Sequence, residues 1–187
     1  VQGDATAVNG DGTSDGHILN VNLSNVSISG GAQVGAVVGK LNTGLVANVL
    51  VSSGTVSGSS NVGGVVGSNS GDIVAADASM TRIGGFVFDA GGKASVNGSS
   101  SNAGGVIGNN AGLAEVIYSR TGTIAGAATV GGTVGTNSGI IRDSYATPAN
   151  VTGTSGVGGF VGTNSGTLVN VHSAGAFPGL VQANTGT

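Results

Sequence analysis

The chain has 187 residues, of which 39% are hydrophobic and only 7% charged, with 39 glycines and neither cysteine nor tryptophan. Five Lys and Arg against eight Asp and Glu leave a formal charge of −3, and Lys40, Arg82, Lys93, Arg120 and Arg142 are scattered, which excludes the basic stripe of a nucleic-acid binder. No 18-residue apolar run exists to insert in a membrane, no thiol can form a disulfide or a thiolate metal site, and positive mean hydropathy with low net charge argues for a folded chain.

Residues 1–16 read as an irregular lead-in that starts without a methionine or signal sequence, as an excised piece would. Within it NGDGTSDG (9–16) has the Asn9, Asp11, Asp15 spacing of a calcium loop. Ala7 and Ile18 stand where an acidic first ligand and a closing glutamate belong, so no metal is expected. HILNVNL (17–23) and SISG (27–30) follow, and then the first copy of a ten-residue template, φ-G-G-φ-V-G-x-N-x-G, in VGAVVGKLNTG from Val34 with one residue inserted. Next come LVANVLV (45–51), TVSG (55–58) and the second template, VGGVVGSNSG, from Val62. The order then recurs: DIVAADA (72–78), SVNG (95–98) and AGGVIGNNAG from Ala103; LAEVIYS (113–119), TIAG (123–126) and VGGTVGTNSG from Val130. The last units are IIRDSYA (140–146), NVTG (150–153) and VGGFVGTNSG from Val157, then TLVNVHS (167–173) and a degenerate last coil over 177–187 containing FPGLVQANTG.

Template starts at 34, 62, 103, 130, 157 and 177 are separated by 28, 41, 27, 27 and 20 residues. Each unit holds three short β-like stretches parted by Gly, Ser and Asn corners, which is the content of one coil of a solenoid. The expectation is a single all-β domain over 1–187, a parallel β-solenoid (β-helix) of six or seven coils. Each coil has about 27 residues and three short strands, stacked roughly 4.8 Å apart. The 41-residue interval is one period plus about 13 residues, placed as an insertion loop at 81–92 (TRIGGFVFDAGG) or read as a short coil of its own.

Alternation along the strand places template positions one, three and five inward. Position five (Val38, Val66, Ile107, Val134, Val161, Val181) is a column of Val and Ile suited to a packed core. Position three is mostly glycine, read as clearance from the opposite wall, while the glycines at positions six and ten suit corners with positive φ. Asn42, Asn69, Asn110, Asn137, Asn164 and Asn184 share a column whose stacked amides are expected to bond from coil to coil.

VGGVVGSNSG, VGGFVGTNSG and DSYAT resemble the GLUG repeat, over roughly residues 17–187. DIVAADA and Gln182 depart from that pattern. The resemblance implies a segment of a large bacterial secreted or cell-surface protein of the filamentous-adhesin type, or a non-catalytic region of an immunoglobulin-cleaving protease. It therefore implies an extracellular location and a stalk or adhesive role. Partners would be neighbouring solenoid segments of the same parent chain, a second copy, a host protein or a glycan.

Two outward columns are candidates for contact. The sixth residue after each template is Leu50, Asp77, Tyr118, Tyr145 or His172, and the last three form an aromatic ladder able to stack on a sugar or a protein, or simply to stabilise the sheet. Position four gives Val37, Val65, Val106, Thr133, Phe160 and Leu180. This is an apolar contact stripe if exposed, and core if a bulge turns it inward. Phe86 and Phe88, beside Arg82 and Lys93, read as a flap over the coils or a partner-binding tip. For catalysis, Asp72, Asp77, Arg82 and Asp89, or Arg142 with Asp143, are the nearest approach to the acid and base set of a polysaccharide-cleaving β-helix, and surface charges explain them more simply. The expectation is a non-enzymatic segment without catalytic residue, cofactor or metal, with a polysaccharide-binding or polysaccharide-cleaving β-helix as the alternative. An ice-binding face fails on a Thr row that lapses to Asn109 and Ser68.

Overall fold

The computed structural model describes residues 8–9, 13–14, 17–70, 85–92, 95–99, 102–120, 122–148, 150–174 and 179–187. From His17 onward the chain is a parallel β-solenoid of five turns and a short sixth. Three stretches make each coil, and the template stretch is itself folded in the middle, so four hydrogen-bonded walls run along the rod. The long wall contains His17–Leu23, Gly44–Val51, Gly85–Gly92, Leu113–Glu115 with Tyr118–Arg120, Ile140–Thr147 and Thr167–Ser173. The second wall runs from Val26–Ser29 to Asn150–Thr152 and the third from Ala32–Gly35 to Val157–Gly158. The fourth stacks Val38–Leu41, Val66–Asn69, Ile107–Asn110, Val134–Asn137, Val161–Asn164 and Val181–Asn184.

The fold within the template corrects the expected contact stripe. At the corner one carbonyl serves two successive amides of the coil before it: Val65 and Val66 both donate to Val106 O at 3.0 Å, and Thr133 and Val134 both donate to Phe160 O. The coil-to-coil ladder thus passes around the bend unbroken. Alternation does not, and positions four and five both end up inside. Val65, Val106, Thr133 and Phe160 are completely buried, and Val37 and Leu180, in the first and last copies, are half-buried against the same core. This column is core.

The template glycines have different reasons from those expected. A methyl group at Gly132 would lie 2.0 Å from Gly159 O, and one at Gly64 would lie 2.2 Å from Gly105 O, so position three is kept bare by the next coil rather than by the opposite wall. At position six, a methyl on Gly108 would lie 2.4 Å from Asn61 C. There the fourth wall rests backbone to backbone on the third wall of the preceding coil, and no left-handed φ is involved. Among the position-ten glycines described, Gly44 has the expected positive φ, of 95°.

Left-handed backbone appears instead in the middle of the long wall, where Asn20, Asn48, Val116, Asp143 and Asn170 have φ between 50° and 59°. Short polar residues tolerate that region because their side chains bond locally, whereas β-branched Val116 does not. The kink puts two successive residues outward: Ile141 and Ser144 are buried while Arg142 and Asp143 between them face solvent. Ser144 repairs the ladder at the kink, accepting from Ile117 N at 3.1 Å and donating to Arg142 O at 2.7 Å.

The expected position of the insertion is also corrected. Gly85–Gly92 is a regular strand of the long wall, pairing Phe86 with Leu45 on one side and with Leu113 on the other. GFVFDAGG, not DIVAADA, is therefore the coil's own long-wall strand, and the extra residues of the 41-residue interval precede Gly85. DIVAADA, Arg82 and Lys93 lie outside the described residues. The lead-in contains a short antiparallel pair, Val8–Asn9 with Thr13–Ser14, while Asp11 and Asp15 lie outside the described residues. At the far end Val181–Asn184 rejoins the fourth wall on Val161–Asn164.

Candidate functional site: the outer face of the long wall

The asparagine column supplies the frame that holds this face. Asn69 Nδ2 donates to Asn110 Oδ1 at 2.8 Å, and Asn110, Asn137 and Asn164 each donate to the next asparagine, ending at Asn184, at 2.7 Å. The other Nδ2 hydrogens of Asn110, Asn137 and Asn164 go to the carbonyls of Gly112, Gly139 and Gly166, which shapes the corner leading into the long wall. Asn42 does not belong to this column. Leu41 pairs with Asn69, Asn42 is exposed, and buried Asn69 Oδ1 has no donor among the described residues.

Register across the long wall brings Asn22, Leu50, Gly91, Tyr118, Tyr145 and His172 into one outward column. The three rings assemble as expected: Tyr118 and Tyr145 are stacked at 5.5 Å and 9°, Tyr145 and His172 at 5.7 Å and 15°. Because the rings face one another, the ladder turns edges rather than faces to solvent along its middle. Arg120 lies 5.2 Å from both tyrosine ring centroids and bonds Tyr145 Oη. Inside the wall, the buried Thr133 hydroxyl donates to Tyr145 O at 3.3 Å.

Gly91 takes the place assigned to Asp77, which lies outside the described residues. The Tyr118 ring leans over it, so a methyl at Gly91 would lie 2.4 Å from Tyr118 Cε2 and Cζ. Beyond the bare position is a groove of about 290 Å³ lined by Asn20, Val21, Asn22, Asn48, Val49, Leu50 and Tyr118. Sequence reading missed Gly91 and the three asparagines. In the neighbouring coils the long-wall segment begins ten residues before the third piece; in this coil Phe86, the partner of Leu45, stands nine before Ser95, so the same count reaches Gly85 and falls one residue short of the register.

The remaining candidates are tied up between coils. Arg142 bonds Glu115 at 2.8 Å, and Asp143 accepts from Asn170 Nδ2 at 2.7 Å. Asp72, Asp77 and Arg82, like the side chains of Phe86, Phe88 and Asp89, lie outside what is described. Among the described residues no three His, Asp or Glu side chains converge to hold a metal. A wider groove, about 560 Å³, runs along the corner between the fourth and long walls and is lined by Gly, Ser, Thr, Ala and Ile. Its Ser138, Ser165 and Thr185 hydroxyls donate to carbonyls of the preceding coil, leaving no acid or base to act there.

No protein-family model matches the chain, and no curated protein matches it. Among solved structures, a Bacteroides ovatus protein named as a candidate immunoglobulin A1 protease is similar to it, with a TM-score of 0.73 and 22% identity over 91% of this chain. The chain spans 60% of that protein's length. At this identity the likeness carries the solenoid fold and no residue roles.

Proposed function

We propose that this chain is a non-enzymatic stiff shaft from a large bacterial secreted or surface protein, of the GLUG-repeat kind. It extends or presents other parts of its parent and offers its outer face for adhesion. The observation that carries this reading is the use of side chains. The amide column, the ring column, Glu115 with Arg142 and Asp143 with Asn170 all bond one coil to the next. Such bonds stiffen a stack whose units touch only their neighbours.

Further coils of the parent chain, or a second copy, are the proposed partners at the two ends. Ile18, Val21 and Leu23 at one end and Leu168, Val171 and Val181 at the other are only half-buried, although their equivalents in middle coils, such as Val46, Val49 and Ile141, are completely or almost completely buried. Open strand edges and half-covered core residues favour such stacking. The similar Bacteroides ovatus protein raises the alternative of proteolysis. In the present reading the shared coils are the non-catalytic part of such a protein.

Incubating the purified chain with immunoglobulin A and with a panel of polysaccharides tests this, alongside solution scattering. Intact substrates and a scattering profile of stacked coils are expected. New fragments or shortened polysaccharides, abolished by Arg142→Ala or Asp143→Ala in a folded protein, would replace the shaft by an enzyme.

A further inference from the structure

The two described arginines of the long wall are held in different ways. Arg142 is paired with Glu115 at 2.8 Å, whereas Arg120 has no acid beside it among the described residues. Asp143 accepts from Asn170, and the strand position of Asp89 is opposite Val116, four residues from Arg120. Aromatic rings hold Arg120 instead. Its guanidinium carbon lies 5.2 Å from the centroids of Tyr118 and Tyr145, and Nη2 donates to Tyr145 Oη. A phenol that accepts in this way still has its own proton to give, and the planar fork of five N–H groups has used one. Register sets Thr147 beside Arg120 and His172 beside Tyr145, and both are exposed. Donors therefore gather at one exposed point around a cation that no carboxylate neutralises.

We propose that Arg120 and Tyr145 bind the carboxylate of an acidic sugar, a uronate or sialate unit of a glycan, with Thr147 and His172 taking its neighbouring hydroxyls. The fork matches the two oxygens of a carboxylate, and such charge-assisted bonds are stronger than neutral ones. Contact with the rings orients the guanidinium before a ligand arrives, which lowers the entropy lost on binding, and leaves its charge uncancelled. Because the stacked rings turn their edges outward, the sugar is held by its polar groups rather than by stacking. An acidic peptide fits less well, since a run of carboxylates asks for several cations and Arg142 is already held by Glu115. The proposal rests on the adhesive part of the proposed function and moves its centre from the rings to the cation they hold.

The test is a glycan array, followed by titration of the whole chain with sialyllactose and a hyaluronan fragment. Lactose, a carboxyl-free sulfated galactan fragment and oligoglutamate are the comparison ligands. Arg120→Ala removes the fork, Arg120→Lys keeps the charge without it, and Tyr145→Phe keeps the ring ladder without the hydroxyl. Lys40→Ala, on the fourth wall, is the control for unspecific attraction. Binding of a carboxylated sugar that weakens about tenfold or more in Arg120→Ala supports the site. Smaller losses in Arg120→Lys and Tyr145→Phe, and none in Lys40→Ala, belong to the same result. Failure to bind either carboxylated sugar, an equal loss in Lys40→Ala, or preference for a comparison ligand overturns it. Glycan binding that is indifferent to Arg120→Ala removes this site and leaves adhesion standing. Circular dichroism on each variant separates lost binding from lost fold. None of these outcomes touches the shaft reading, which is decided by turnover and scattering.

Discussion

Asn110 and Asn137 are 27 residues apart in the chain and joined in space, with Asn110 Nδ2 donating to Asn137 Oδ1 at 2.7 Å. Asn137 in turn donates to Asn164 Oδ1 at 2.7 Å and to Gly139 O at 3.2 Å. All links point the same way along the rod, so each amide polarises the next.

Replacing Asn137 by Ala leaves a buried donor on Asn110 without its partner, and takes from Asn164 Oδ1 one of two donors, the other being Gly166 N at 3.3 Å. An orphaned buried donor costs about 1–3 kcal/mol, so the variant is expected to lose about 2 kcal/mol in a urea titration. A loss below about 1 kcal/mol would mean the column fills space without bonding.

Leu41 ends the column, and Asn69 Oδ1 has no donor among the described residues. Leu41→Asn gives up a buried aliphatic chain but can supply the missing donor, whereas Leu41→Ala gives up the chain alone. Leu41→Asn should therefore be more stable than Leu41→Ala by about 1 kcal/mol. Thermal melts of the pair decide it, and the reverse order would refute a vacancy at Asn69.

Val116 has φ 55° in a column otherwise held by Asn and Asp among the described side chains. The left-handed region costs a non-glycine residue about 1–2 kcal/mol, so Val116→Asn should stabilise by about 1 kcal/mol, raising Tm by about 2–4 °C. Val116→Ile should bring no gain.

Glycine substitutions should divide by position rather than by conformation. Gly132→Ala drives a methyl into Gly159 O and should cost about 3 kcal/mol or more, since the next coil's backbone cannot yield. Gly31→Ala meets nothing within 4 Å and should be neutral or stabilising by about 0.5 kcal/mol. Equal effects at the two positions would contradict the stacking.

Much of this was legible in the letters, because a coil that rests on a copy of itself must repeat its shape. The 27-residue period, the Val and Ile column and the stacking of Tyr118, Tyr145 and His172 all follow from that one constraint. Alternation could not reveal the corner in the template, since Val65 and Val66 are the same residue type and only the backbone shows that both point in. The residue inserted before Asn42 moved Leu41 into the amide column, which a motif match tolerant of one insertion overlooks. The 41-residue interval hid Gly91, because GFVFDAGG resembles its neighbours in register more than in composition. The left-handed column was visible only as a scatter of Asn and Asp, residues this chain also spends on ordinary corners.

Near-identical layers carry a hazard: a growing stack could settle one layer out of phase and still satisfy most of its contacts. The irregular units forbid it. Moved up one layer, Tyr118 would lose the bare position at Gly91 that its ring covers, and the 20-residue final unit would have no shortened neighbour to match. Imperfections that blur the motif therefore serve as registration marks, and perfecting the repeats would make the protein easier to recognise and harder to assemble correctly.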